Sequence, residues 1–150
     1  MLMKINEKFS DSIMIFEAIA WIGTCIACMI GWAWGWIFVV GLMVLGHILN
    51  GVHDNGVIDK KLLIYPIIPW FITYMIGMAG SVYYHLKFLD EIPSFYILGQ
   101  HPSHFYMLIF YWICGILTIC VGFIKNKEAW CSTERWENFK ESIEKEKAKG

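Results

Sequence analysis

Four long apolar segments, separated by short polar ones, dominate the pattern of hydrophobic and polar positions along this chain. They cover residues 13–31, 36–52, 62–86 and 104–124. Each segment is close to the roughly 17–25 residues that a helix needs to cross the hydrocarbon core of a bilayer. Between the first two, Gly31 and Gly35 supply the glycines of a tight turn. We therefore predict an all-α integral membrane protein whose transmembrane domain is an antiparallel bundle of four transmembrane helices, ending at about residue 126.

The lysines orient the four predicted helices. They flank the apolar segments at the N-terminus, in the second loop and after the fourth segment, whereas the first hairpin has none and the third loop has only Lys87. In a four-span protein the lysine-rich segments all fall on one side, and segments rich in Lys and Arg stay in the cytoplasm. We therefore expect both termini to be cytoplasmic. The lysines on that side include Lys4, Lys8, Lys60, Lys61, Lys125 and Lys127.

Two segments lie outside the predicted spans. The loop of residues 87–103 is too long for a simple turn, and its apolar and aromatic side chains indicate a segment along the outer membrane surface. Residues 127–150 alternate acids and lysines around Trp136 and Phe139, which share one helical stripe. We predict that this C-terminal segment is a cytoplasmic amphipathic helix.

Composition supports a membrane protein and excludes one class of partner. Apolar residues make up 57% of the chain and charged residues 17%, against roughly 45–50% and 25% in an ordinary soluble domain. The formal net charge is −1, which argues against the extended run of phosphate contacts that a nucleic acid would need. The expected partners are the lipid bilayer and either other membrane subunits or further copies of this chain.

One group of polar residues lies near the cytoplasmic ends of the first two spans. Glu17 is about one turn inside the membrane, and His47 is at a comparable depth as the second span returns. His53 belongs to the same group, and His47, Asn50 and Asp54 share one helical face if the helix continues that far. A carboxylate facing an imidazole can share a proton, ligate a metal or hold a polar headgroup. The alternative is a buried pair that joins two helices, followed by a polar turn.

A second group lies at the outer ends of the third and fourth spans. His85 ends the third span, and His101 and His104 begin the fourth. His85 and His104 are placed to ligate a b-type haem, and the three histidines together could bind a copper or zinc ion. Histidines at a membrane interface also occur without any metal. Because the two groups are on opposite sides of the membrane, no mononuclear centre can use both.

The first span also contains the sequence Cys25-Ile-Ala-Cys28, which has the spacing of a redox motif. These cysteines lie in an apolar helix with no basic neighbour to lower the pKa of a thiol. We therefore expect them to be packing residues.

Two functions are compatible with these features. The first is a small subunit of a larger membrane complex, such as a redox or metalloenzyme assembly, with a structural or cofactor-supporting role. The alternative is a stand-alone membrane enzyme or transporter that uses Glu17 and His47 on a lipid-like or protonated substrate. The small size and the amphipathic tail favour the first.

Overall fold

The computed structural model of this chain describes residues 3–4, 7–53 and 57–147, and most of them are helical. The elements are β1 (Met3–Lys4), α1 (Glu7–Met29), α2 (Ala33–Val52), β2 (Val57–Ile58), α3 (Lys60–Lys87), α4 (Pro102–Lys125), α5 (Lys127–Trp130) and α6 (Thr133–Lys147). Much of α4 winds as wider, π-type turns, over Met107–Ile113 and Ile116–Cys120. The two short strands pair antiparallel and join the N-terminal residues to the loop after α2.

Four of these helices are long and apolar enough to cross a membrane, as the sequence predicts. They are Ser10–Met29 within α1, and the whole of α2, α3 and α4. The helices extend beyond the apolar segments at several ends because backbone hydrogen bonding continues through polar residues. The chain is therefore a multi-pass membrane protein by the length and composition of its helices.

The turn between α1 and α2 uses only one of the two glycines that the sequence assigns to it. Gly31 has φ +71, and the amide of Trp32 donates to the carbonyl of Ala27 across this left-handed residue, as in a Schellman cap. Gly35 lies inside α2 instead, where a Cβ would overlap the indole of Trp32. The second glycine therefore makes room for an aromatic ring.

The start of α3 contains a break next to a proline. The helix already begins at Lys60, capped by the side chain of Asp59. Tyr65, which precedes Pro66, has non-helical backbone angles (φ −154, ψ 109). A residue before proline is pushed out of the helical region by the proline ring. The third span is consequently broken at Tyr65, close to its lysine-rich end.

The main contacts join helices that are consecutive in the chain: α1 with α2, α2 with α3, and α3 with α4. On α2, Gly46 faces α1 and Gly41 faces α3, so two different sides of this helix are covered. α1 therefore flanks α2 on the side away from α3. The described residues form an open row at this end.

The accessible surface is consistent with this open arrangement. It measures 10227 Å², whereas a compact soluble protein of this mass would have roughly 7,900 Å². The buried apolar side chains fall into two clusters where α2, α3 and α4 meet. One is centred on Ile58, Leu62 and Ile67, and the other on Ile37, Trp70 and Tyr74. α1 adds a single buried stripe, so most of its surface remains available to lipid or to another helix.

The segments outside the spans have distinct structures. Between α3 and α4 the chain is irregular and ends in a two-residue turn, Leu98-Gly99, whose residues both have positive φ. Such turns join antiparallel residues, here Ile97 and Gln100. That this loop lies along the outer membrane surface stays a prediction. In the tail, α5 and α6 are separate helices, and the hydroxyl of Ser132 caps α6 by accepting from the amide of Arg135.

Candidate functional site

The structure brings Glu17 and His47 together, as their predicted depths suggest. The Nδ1 atom of His47 lies 2.7 Å from the Oε1 atom of Glu17. Gly46 makes this approach possible, because a Cβ on it would lie 3.2 Å from the same carboxylate oxygen. The pair therefore lies at the contact between α1 and α2, within both candidate spans.

Heptad spacing positions the polar side chains of α1. The buried or half-buried residues Ser10, Glu17 and Thr24 are seven residues apart, which is two helical turns, and they share the stripe that faces α2. Ser10 donates a 2.8 Å hydrogen bond to the side chain of Asn50. In lipid, polar contacts of this kind hold helices together. We call this stripe the polar seam of α1.

The two members of the pair have very different environments. The Glu17 side chain is only 9% exposed, whereas that of His47 is 59% exposed. Among the described residues, Oε1 of Glu17 accepts no hydrogen bond of good direction, despite the short distance to the imidazole. The two groups are close enough to exchange a proton once the imidazole rotates so that its Nδ1 atom points at the carboxylate oxygen. A buried acceptor beside an exposed imidazole is therefore the most chemically distinctive feature of the membrane-spanning region.

The other predicted residues of this group have different outcomes. Asn50 accepts from Ser10 and so belongs to the contact between α1 and α2. Asp54 lies outside the described residues. His53 ends α2, and its Nδ1 atom is buried without a hydrogen-bond partner in the described part of the chain.

The outer histidines lie around the loop between α3 and α4. His85 and His104 are exposed, whereas His101 is half-buried. The Nδ1 atom of His101 accepts a 3.2 Å hydrogen bond from the amide of Ser103, and its ring packs edge-on against Phe88. His101 therefore has a structural role at the start of α4.

Metal binding at these histidines stays a prediction. Within residues 7–53 and 57–147, no three side chains of the metal-ligating types His, Cys, Asp and Glu come together. The structure thus does not gather His85, His101 and His104 into one ligand set for copper or zinc. A b-type haem needs only two axial ligands, and that prediction rests on His85 and His104 alone.

The cysteines of the first span are not packing residues. Cys25 and Cys28 are both exposed on α1, on either side of the buried residue Ala27. The expectation of packing was wrong because the stripe of α1 that faces α2 runs through Thr24 and Ala27. This correction places the thiols on the surface that faces lipid or a partner helix.

Tyr65 and Asn126 meet at the break in α3, and neither is predicted as a site residue from the sequence. The side-chain amide of Asn126 donates to the carbonyl of Tyr65 over 3.0 Å, and the Tyr65 hydroxyl donates to the carbonyl of Leu117 over 2.7 Å. Pro66 was the only sequence signal nearby. A proline in a span leaves backbone groups without helical hydrogen bonds, and neighbouring helices must satisfy them. The sequence does not show which residue of the neighbouring helix does so.

Comparison of this chain with known protein families, with curated proteins and with solved structures gives no match. The class of the protein therefore rests on its own residues. Four apolar helices define a multi-pass membrane protein, and the carboxylate–imidazole contact is its main candidate site.

Proposed function

We propose that this chain is a small subunit of a membrane complex that assembles with other membrane helices through the side of α1 and α2 carrying His47. The observation behind this proposal is an imidazole that is 59% exposed inside an apolar span. Ionisable groups at membrane depth are expensive and almost always face protein or a water-filled cavity. A helix from a partner or from a second copy of this chain would cover His47.

The open row of helices supports the same proposal. α1 has its main contact with α2, and its remaining surface includes exposed Trp21 and Ile22. A further helix could pack there without displacing any existing contact. The proposal covers two sources of this further helix, a second copy of this chain and a different membrane protein.

The finer topology is part of the proposal. We propose that the four spans run antiparallel, with both termini in the cytoplasm. The pairing of β1 with β2 supports this, since it joins residues 3–4 to the loop after α2. The lysines around that loop supply the charge asymmetry that orients membrane proteins. A redox or metalloenzyme role would further require haem or metal at the outer histidines, and it remains a prediction.

The mass of the protein in lipid nanodiscs tests the proposal. We expect wild-type protein to exceed the 17.4 kDa of one chain, as a homo-oligomer or with a partner. A hydrogen bond between helices contributes roughly 1–2 kcal/mol, so His47→Leu should weaken the association by about five- to thirty-fold. His104→Leu is the matched control, because it removes an exposed histidine from α4 and not from α2. Monomeric wild-type protein, or equal loss in both variants, would contradict the proposal.

A second function is favoured by the groove beside the pair. A cavity of about 290 Å³ lies between α1 and α2, lined by Ser12, Ile13, Phe16, Leu42, Leu45, Gly46 and Leu49. Gly46, one of the lining residues, also faces the Glu17 carboxylate. An apolar groove next to a carboxylate–imidazole pair suits an enzyme or transporter acting on a lipid-like or protonated substrate. Turnover that is unaltered by Glu17→Gln would remove the carboxylate from such a mechanism.

A further inference from the structure

A cleft lies between the start of α3 and the end of α4, on the side of the break in α3. Its volume is about 570 Å³, and its lining residues are Lys60, Lys61, Ile64, Tyr65, Lys125 and Asn126. Three of the six are lysines, contributed by two different spans. None of these residues belongs to the Glu17–His47 pair.

The charges in the cleft are unbalanced. Lys60, Lys61 and Lys125 are exposed, and within the described part of the chain none of them lies within ion-pair distance of a carboxylate. The nearest acid in sequence, Asp59, is engaged in capping the start of α3 by accepting from the amide of Lys61. Three like charges around one cleft repel each other, and an anion placed among them would relieve that repulsion.

The walls of the cleft are fixed by hydrogen bonds. Asn126 donates to the carbonyls of Tyr65 and Gly122 over 3.0 and 2.9 Å, while Tyr65 donates to Leu117. These bonds hold the broken segment of α3 against α4. The cleft is thus formed before any ligand arrives, which lowers the entropic cost of binding.

The position of the cleft selects a lipid as the occupant. Lys60 and Lys125 are terminal residues of two candidate spans, Lys60–Lys87 and Pro102–Lys125, and Lys61 follows Lys60. The three lysines therefore belong at the level of the headgroups. Ile64 is exposed beside them and offers an apolar surface for the glycerol region of a lipid. Basic pockets between helices at this depth bind anionic headgroups.

We propose that this cleft binds the phosphate headgroup of an anionic phospholipid, with Lys60, Lys61 and Lys125 as the cationic ligands. The hydrogen-bonded Tyr65 and Asn126 form its wall. The acyl chains would continue along the surface of α3 into the hydrocarbon. This site is independent of the proposed subunit contact at His47.

Native mass spectrometry of the full chain, titrated with phosphatidylglycerol or phosphatidylcholine, tests this site. We expect one phosphatidylglycerol to bind at least ten-fold more tightly than phosphatidylcholine. Each lysine contributes roughly five-fold, so the variant Lys60→Gln/Lys61→Gln/Lys125→Gln should lose the preference. The variant Lys140→Gln/Lys145→Gln/Lys147→Gln removes the same charge from α6 and should keep it.

Several outcomes would overturn the proposal. The first is that the cleft variant still prefers phosphatidylglycerol to phosphatidylcholine. The second is that the α6 variant loses this preference to the same extent as the cleft variant. The third is that millimolar inorganic phosphate displaces the lipid, which would identify free phosphate as the ligand. If the triple cleft variant does not fold, Lys125→Gln alone should weaken phosphatidylglycerol binding by about five-fold. An unchanged affinity in that single variant would equally reject the site.

Discussion

Replacing His47 with leucine should destabilise the packing of α1 on α2 by about 1–3 kcal/mol, because the nearly buried carboxylate of Glu17 loses its polar neighbour. The Nδ1 atom of the imidazole lies 2.7 Å from that carboxylate, and an apolar side chain cannot take its place. The free energy of unfolding in mixed detergent micelles, followed by tryptophan fluorescence, measures the effect.

A second substitution should reverse this loss. In Glu17→Leu/His47→Leu both partners are apolar, and replacing both partners of a polar contact by apolar groups is often nearly neutral. We therefore expect the double variant to lie within about 1 kcal/mol of the wild type. Two single losses that simply add in the double variant would show that the side chains are not coupled.

The polar seam of α1 offers a matched control. The hydroxyl of Thr24 is buried with no hydrogen-bond partner among the described residues. Thr24→Val keeps the shape of the side chain and should leave stability unchanged or slightly higher.

The variant Glu17→Leu/His47→Leu also separates folding from assembly. It should regain the stability of the single chain, and yet it should not associate with a partner helix, because the imidazole is missing.

The second large effect is expected at the contact between α3 and α4. A Cβ on Gly122 would overlap the ring of Pro66 and lie 3.2 Å from its Cα atom. Because backbone cannot move aside as a side chain can, Gly122→Val should cost about 1–3 kcal/mol. The same unfolding measurement detects this loss.

Gly115 provides the comparison within the same helix. Among the described residues, no atom outside its own helix turn lies within 4 Å of a Cβ built there, so Gly115→Val should have little effect. An equal loss of stability in both variants would mean that the cost comes from valine in α4 and not from contact with Pro66. A loss confined to Gly122→Val would support the close approach of the two spans.

The sequence predicts the number of spans and the meeting of Glu17 with His47 because both depend on depth in the membrane. Apolar length sets where each helix crosses the bilayer, and two polar residues at equal depth on adjoining helices come close. The same reasoning cannot determine which faces touch. Gly23 is four residues from Ala27 in a pattern of small residues, yet no part of the chain that the structure describes lies within 4 Å of its Cβ position. Gly46, in contrast, faces α1 without belonging to such a pattern.

The break in α3 was beyond sequence reasoning for a different reason. The carbonyl of Tyr65 is satisfied by Asn126, which is 61 residues away in the chain. Pro66 predicts that helical hydrogen bonding changes nearby, but the compensating group depends on the packing of α4. The lysine cleft results from that packing, and so it appears only in three dimensions.

Photocrosslinking in native membranes tests the central claim, that the His47 side of α2 is a protein contact. At 100° per residue, Val40 lies about 20° from His47 around α2, and Leu42 about 140° away. Benzoylphenylalanine at position 40 should yield a discrete protein adduct, whereas the same probe at position 42 should label mainly lipid. Adducts of equal yield at both positions, or no protein adduct at position 40, would contradict the account.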